Sequence, residues 1–321
     1  MMPGTMDTKE TAFQPPKAPK AIEYRTPFLV RLWKESFGYL LLLPALAIIL
    51  GLNLYPTGYG IFTSFTDQSL LDPNHYNLIG LTNYFKLFAD PIFQLSFLHS
   101  LELTASAVLL QVFFGLILAH LLIQRVPGIQ IFRSLAMVTW VLPIIAAVVI
   151  FRFFTLPNYG FFNLVLTQIG LGKWTRNWFG DENFAFLVVL LMHLWRNIPF
   201  YAIAFMAAMQ AIPQDLYEAA RIDGATRWHR LIFITLPNLR YIILVMVVLH
   251  VTFTFNNFDF VFLSTGGGPV NATEVLPTYI YKQAWSGYAL GYASAGGVVM
   301  LIVLVILVTI CRRVIGGYQT E

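Results

Sequence analysis

Long apolar runs, each about as long as a helix must be to cross a bilayer, leave this chain few folds to choose from. They lie at about 37–64, 100–123, 131–154, 185–211, 239–263 and 291–311. In hydrocarbon every backbone N–H and C=O needs an internal partner, so runs of this length are read as helices. The expected fold is an all-α polytopic membrane protein with six transmembrane helices. Composition agrees: 57% of the 321 residues are hydrophobic and only 11% are charged, too apolar for an ordinary soluble domain. Pro44 and Pro56 fall near the ends of the first run, where a lost backbone donor costs less.

The polar segments set orientation and exclude several functions. Residues 1–30 are rich in Pro, Lys and Thr and cannot bury a core, so a disordered tail is expected there. Six spans put both termini on one side. That side carries 14 of the 20 basic residues: Lys9, Lys17, Lys20, Arg25, Arg31 and Lys34 in the tail, Arg125 and Arg133 after the second span, Arg221, Arg227, Arg230 and Arg240 after the fourth, and Arg312 and Arg313 at the end. The excess predicts cytoplasmic termini. The basic residues are spread over loops, which fits this bias better than a nucleic-acid interface. The single Cys311 excludes an internal disulfide framework and a Cys-based zinc site. No Gly-x-x-x-x-Gly-Lys-Ser/Thr loop occurs, so any ATP-driven work needs a partner subunit. The chain itself is expected to be no enzyme and to hold no metal or cofactor.

One polar loop, 212–238, is squeezed between the fourth and fifth runs. Pro213 suits a helix start, and Asp215 places a negative charge near the positive end of that helix. Gly224 is the natural stop, because glycine tolerates the left-handed conformation that closes a helix. Thr226 is positioned to cap a second short helix, which Pro237 is expected to end. Ala219 and Ala220 leave a low-relief surface that another protein can approach closely.

Three places inside the runs carry polar groups, each of which needs a partner or a water-filled cavity. His193 to Phe200 lies in the fourth run, His250 to Asp259 in the fifth, and Trp140 with Pro143 in the third. His250, Thr254 and Asn257 stand four and three residues apart, so on a helix they share a face offering donors and acceptors suited to sugar hydroxyls. Trp140 and Phe200 offer flat faces for a pyranose ring. The same groups would equally serve to bond one span to another. Arg196 is the sharpest of them. It is read as pairing with Asp259, facing an aqueous cavity, or recognising an anionic substrate such as a sugar phosphate or sulfonate.

The sequence Glu218-Ala219-Ala220, then three residues, Gly224, nine residues and Ile234-x-Leu236-Pro237 resembles the EAA loop of the membrane subunits of ABC importers. Arg133 to Pro143, Trp195 to Pro199, and Phe253 to Phe258 followed by Gly267-Gly268-Pro269 resemble the maltose-type permease subunits of that group. The segment around Gly80 to Tyr84 and Asp90 to Phe93 resembles their external segment. The resemblance runs from about Gly38 onward. It implies the type I importer permease fold and a bacterial or archaeal inner or plasma membrane. It also implies a second permease, two ATPase subunits that hold ATP and Mg, and an external substrate-binding protein. Glu218, Ala219, Ala220, Asp223 and Gly224 would contact the ATPase, and Trp140, Asn197, Phe200, His250, Thr254 and Asn257 would match the sugar-contacting positions. The cargo expected is a sugar, with a polyol or an anionic sugar derivative as alternatives. A membrane-embedded enzyme would need a motif such as His-x-x-x-His or a Ser-centred nucleophile, and none stands out, which leaves a secondary transporter as the other class. It would need an internal repeat and intramembrane acids, and only Glu102 and Asp259 approach the runs.

Overall fold

The computed structural model describes residues 40–124 and 126–316. The expected disordered tail, its six basic residues and Arg125 lie outside the described residues. The chain separates into two compact units, one ending at Pro56 and one beginning at Thr57. Among the described residues there is no strand beyond an isolated antiparallel bridge between Thr66 and Leu78.

Helix α1 runs Leu40–Thr63 and is π-helical over Leu50–Leu54. Helices α2 (Thr82–Ala89), α3 (Pro91–Leu122), α4 (Ile129–Val141), α5 (Ile144–Phe154) and α6 (Phe161–Gln168) follow. Then come α7 (Ala185–Gln210), α8 (Gln214–Ile222), α9 (Arg227–Phe255), α10 (Asp259–Ser264), α11 (Leu276–Trp285) and α12 (Leu290–Gly316). By length and composition α1, α3, α7, α9 and α12 can each cross a membrane, and α4 with α5 makes a sixth if the bent pair is one span.

Four boundaries differ from the sequence reading, each for a local reason. Helix α3 starts nine residues before the expected 100, because Asp90 caps it: its Oδ1 accepts from the Ile92 amide at 2.8 Å, and Pro91 occupies the first turn. The third run is not straight. It bends by 99° between α4 and α5, at Leu142-Pro143. Pro143 has no N–H to continue the ladder and forces Leu142 into extended backbone, φ −56° and ψ 137°. Pro237 does not end a short helix. The helix that Thr226 caps continues through it into α9, with a π-helical stretch at Leu231–Thr235 just before the proline. There the Asn238 side chain donates to the Ile234 carbonyl at 2.7 Å. Finally, α9 stops at Phe255 rather than near 263, because Asn257 Oδ1 accepts from the Phe260 amide at 3.1 Å and starts α10 instead.

Within the second unit, α3 and α7 pack most closely. Gly115 makes this possible: a Cβ placed there would lie 2.6 Å from Tyr201 Cβ. Around this contact Ala119, Leu122, Ala202, Phe205, Met209 and Leu239 form a buried cluster. At the end of the bundle away from residues 212–238, Asp90 ties three elements together. Its Oδ2 accepts from Tyr279 at 2.6 Å and from Tyr292 at 3.3 Å, joining α11 and α12 to the start of α3. Glu274, buried nearby, pairs with Lys282.

Candidate functional site

The breaks in the third and fifth runs meet at one cavity of about 390 Å³. Trp140 comes from the end of α4, Ile144 from α5, and His193, Arg196, Asn197 and Phe200 from one stripe of α7. His250 and Phe253 come from α9, Asn256, Asn257 and Phe258 from the non-helical step after it, and Asp259 from the start of α10. The stripe on α7 follows the helical repeat of three and four residues.

The polar groups are largely held by the protein itself. Arg196 Nη2 donates to the Leu142 carbonyl at 3.2 Å, the group freed by the Pro143 break. Among the described residues no ion pair joins it to Asp259, although both line the cavity. A charged hydrogen bond of this kind contributes about 1.5–3 kcal/mol. That is close to the lower estimates, about 2.5–3.5 kcal/mol, for placing an arginine within a span. The Nε of Arg196 is buried and has no partner. Asn197 Nδ2 donates to the His193 carbonyl at 2.8 Å, and the Gln111 Nε2 and His193 Nδ1 atoms lie 3.0 Å apart. Trp140 and Phe200 stack on each other, with centroids 4.8 Å apart and planes 12° from parallel, so each already covers one face of the other.

Six of the seven residues read from the sequence as the substrate path therefore line this cavity. Thr254 does not. It is buried, and its Oγ1 has no partner. The three-residue face read from His250 to Asn257 fails because α9 ends between them, so Asn257 belongs to the break and not to the helix. His193, Asn256, Phe258 and Asp259 also line this cavity; the sequence reading places them in the polar stretches but not among the substrate-path residues.

At the other end of α7 lies the polar loop. Helix α8 carries Glu218, Ala219 and Ala220 and closes in the way glycine permits: Gly224 has φ +76°, and the Ala225 amide donates to the Ala220 carbonyl at 2.8 Å. Thr226 Oγ1 accepts from the His229 amide at 3.3 Å and caps α9. Tyr217 Oη and Thr235 Oγ1, 2.9 Å apart, fasten α8 to the π-helical stretch. Glu218 lines a polar cavity of about 510 Å³ with Arg133, Tyr217 and Arg221. Ala219, Asp223 and Gly224 are exposed and Ala220 is half-buried. Ile222 is 86% exposed and Trp228 66%, and with Leu216 and Phe233 they put large apolar groups on the surface of this loop.

A helical bundle with a broken third run and a glycine-closed loop before the fifth fits the resemblance to the type I ABC importer permeases, and the comparisons with known proteins agree. The model of the family described as "Binding-protein-dependent transport system inner membrane component" matches residues 111–318, and the chain belongs to that family. It is 35% identical over 271 residues to a probable ABC transporter permease protein of Bacillus subtilis, covering 84% of this chain and 92% of the relative. It is 31% identical over 290 residues to the trehalose/maltose transport system permease protein of Thermococcus litoralis, covering 90% and 96%. It is also 34% identical over 278 residues to the sulfoquinovosyl glycerol transport system permease protein of Agrobacterium fabrum, covering 86% and 89%. In fold it is similar to a chain of a bacterial ABC transporter involved in the import of the acidic polysaccharide alginate, with a TM-score of 0.78 at 23% identity, covering 90% of this chain and all of that one. The chain is thus a multi-pass membrane protein and an ABC transporter permease.

Proposed function

We propose that this chain is the membrane-spanning subunit of an ATP-driven, binding-protein-dependent importer of a sugar. It forms half of the translocation path, and the observation that carries this reading is the aromatic and polar cavity at the end of α9. The same helix begins at the loop after Gly224, so loop and cavity share one element. Relatives named for trehalose, maltose and sulfoquinovosyl glycerol support a carbohydrate cargo.

In this reading residues 212–238 lie in the cytoplasm with both termini and couple to an ATPase subunit. Glu218 anchors the contact, Ala219 and Ala220 let the partner approach, and Asp223 and Gly224 set the bend. ATP and Mg reside in two ATPase subunits, a second permease supplies the other half of the path, and an external binding protein delivers the cargo. ATP binding would bring the coupling loops together and turn the cavity outward. In the cavity, Trp140, Phe200 and Phe258 face the apolar side of the ring, and Asn197, Asn257 and His250 meet its hydroxyls. The unpartnered Nε of Arg196 favours an anionic sugar as the second reading.

The test is ATP hydrolysis by the purified assembly with its binding protein, screened with trehalose, maltose, glucose, glycerol and a sugar phosphate. Stimulation by a neutral sugar supports the first reading and leaves Arg196 a structural residue. Stimulation by the sugar phosphate alone supports the second. An assembly that contains no ATPase subunit sinks both.

A further inference from the structure

Four aromatic rings form one connected cluster that starts at the cavity: three touch one another, and the fourth extends the cluster from Tyr281. Phe258 lines the cavity and stacks on Phe262, with centroids 4.6 Å apart and planes 20° from parallel. Both rings meet Tyr281, at 4.9 and 5.1 Å, and Tyr281 meets Trp285 at 6.3 Å. Tyr281 and Trp285 stand four residues apart on α11, so one follows the other along the same helix face. Tyr281 and Trp285 belong to the helix that Tyr279 ties to Asp90, at the end of the bundle away from residues 212–238.

The backbone beneath the rings is anchored from behind. Arg152 Nη2 donates to the Ser264 carbonyl at 2.6 Å at the end of α10. The Leu276 amide donates to Ser100 Oγ at 2.8 Å, and Tyr279 to Asp90 at 2.6 Å, which fixes α11 against α3. The rings themselves stay open: Phe262 and Tyr281 are each 37% exposed and Trp285 is 61% exposed. Aromatic residues of an interfacial belt act one by one, each anchoring its own element. Here each ring touches the next, and the innermost lines the cavity. Leucines would cover apolar surface equally well. What rings add is a series of flat, polarised faces.

We propose that Phe258, Phe262, Tyr281 and Trp285 form a stacking track along which a pyranose ring passes into the cavity. This rests on the reading of the cavity as a sugar site. The track presents rings to the C–H face of the sugar, while hydroxyls at the ring edge stay hydrated until the cavity replaces that water. Neighbouring rings let the sugar exchange one stacking partner for another without leaving an aromatic surface.

The test uses the assembled transporter in vesicles, with ATP on the ATPase side and the binding protein on the other. Uptake is followed with radiolabelled trehalose, or with whichever neutral or anionic sugar ranks first in the hydrolysis screen. The double variant Tyr281→Leu with Trp285→Leu is expected to lower uptake about tenfold, while Tyr281→Phe with Trp285→Phe stays near the unaltered rate. Hydrolysis stimulated by the loaded binding protein is expected to persist in both. Full uptake by the leucine variant overturns the track. So does a joint loss of uptake and stimulated hydrolysis, which would make the rings a contact to another subunit. His250→Ala and Asn257→Ala separate the two readings. If these lose uptake and the leucine variant does not, the track alone falls; if these transport normally, the cavity reading falls and takes the track with it.

Discussion

Arg196 is held by a carbonyl that exists as an acceptor only because Pro143 breaks the third run. Replacing it with methionine removes that bond, about 1.5–3 kcal/mol, together with the similar cost of holding an arginine within a span, so the two changes should nearly cancel. A melting curve of the purified assembly should show a midpoint close to the unaltered one, and a large drop would mean that the bond outweighs the cost. Gly115 acts through what it lacks. Gly115→Val places side-chain atoms where Tyr201 Cβ already stands, and overpacking of this kind costs about 1–3 kcal/mol. Asp90 provides a pH dependence outside the spans. Burial alone would raise its carboxyl, but hydrogen bonds from Tyr279, from the Ile92 and Phe93 amides and from Tyr292 outweigh it and hold Asp90 below the usual carboxylate range. A depressed acid stabilises the fold fully above its unfolded pKa of about 3.9 and loses that contribution as pH falls through the folded value. Thermal melting should therefore drop on acidification below about pH 4, and Asp90→Asn should flatten this part of the profile.

Helix α8 depends on a left-handed residue. Gly224→Val forces a β-branched side chain to φ +76°, where it is strained. Uptake in vesicles should fall while hydrolysis of ATP by the assembly remains, and normal uptake by this variant would remove the coupling role. This helix was legible beforehand because its signals are local: Gly224 stops it and Thr226 starts the next. The elements that were misread depend on a competition between neighbours. Pro143 and Pro237 are the same residue type, and each follows a leucine. Pro143 breaks its helix by 99°, whereas Pro237 lies in the first turn of regular α-helix after a π-helical stretch, with Asn238 bonded back to Ile234. Nothing in residue spacing separates these outcomes. Asn257 was put on the wrong element for a related reason: the three-and-four rule holds only while a helix continues, and α9 ends at Phe255. Other polar residues of the runs, His193, Arg196, Asn197 and His250 among them, gather at one cavity, because polar groups within apolar runs have few places to go.

For the whole molecule, the reading demands company. The chain should purify with an ATPase subunit, and Ile222→Glu together with Trp228→Glu should reduce that yield while the permease still folds, since both side chains are exposed. Equal yield from the altered chain would place the partner elsewhere. Cytoplasmic termini can be checked with the single cysteine: a serine version carrying a new cysteine at Arg313 should react with an impermeant maleimide only from the cytoplasmic face. The long helix from Arg227 to Phe255 has a mechanical consequence. Its 29 residues make a rod about 43 Å long, so a tilt of about 10° at the loop displaces the far tip by roughly 7 Å. The two asparagines at that tip are where the rod stops being stiff. A small rotation made at one surface is thus delivered, magnified, to the residues that border the cavity, as by an oar pivoting in its lock.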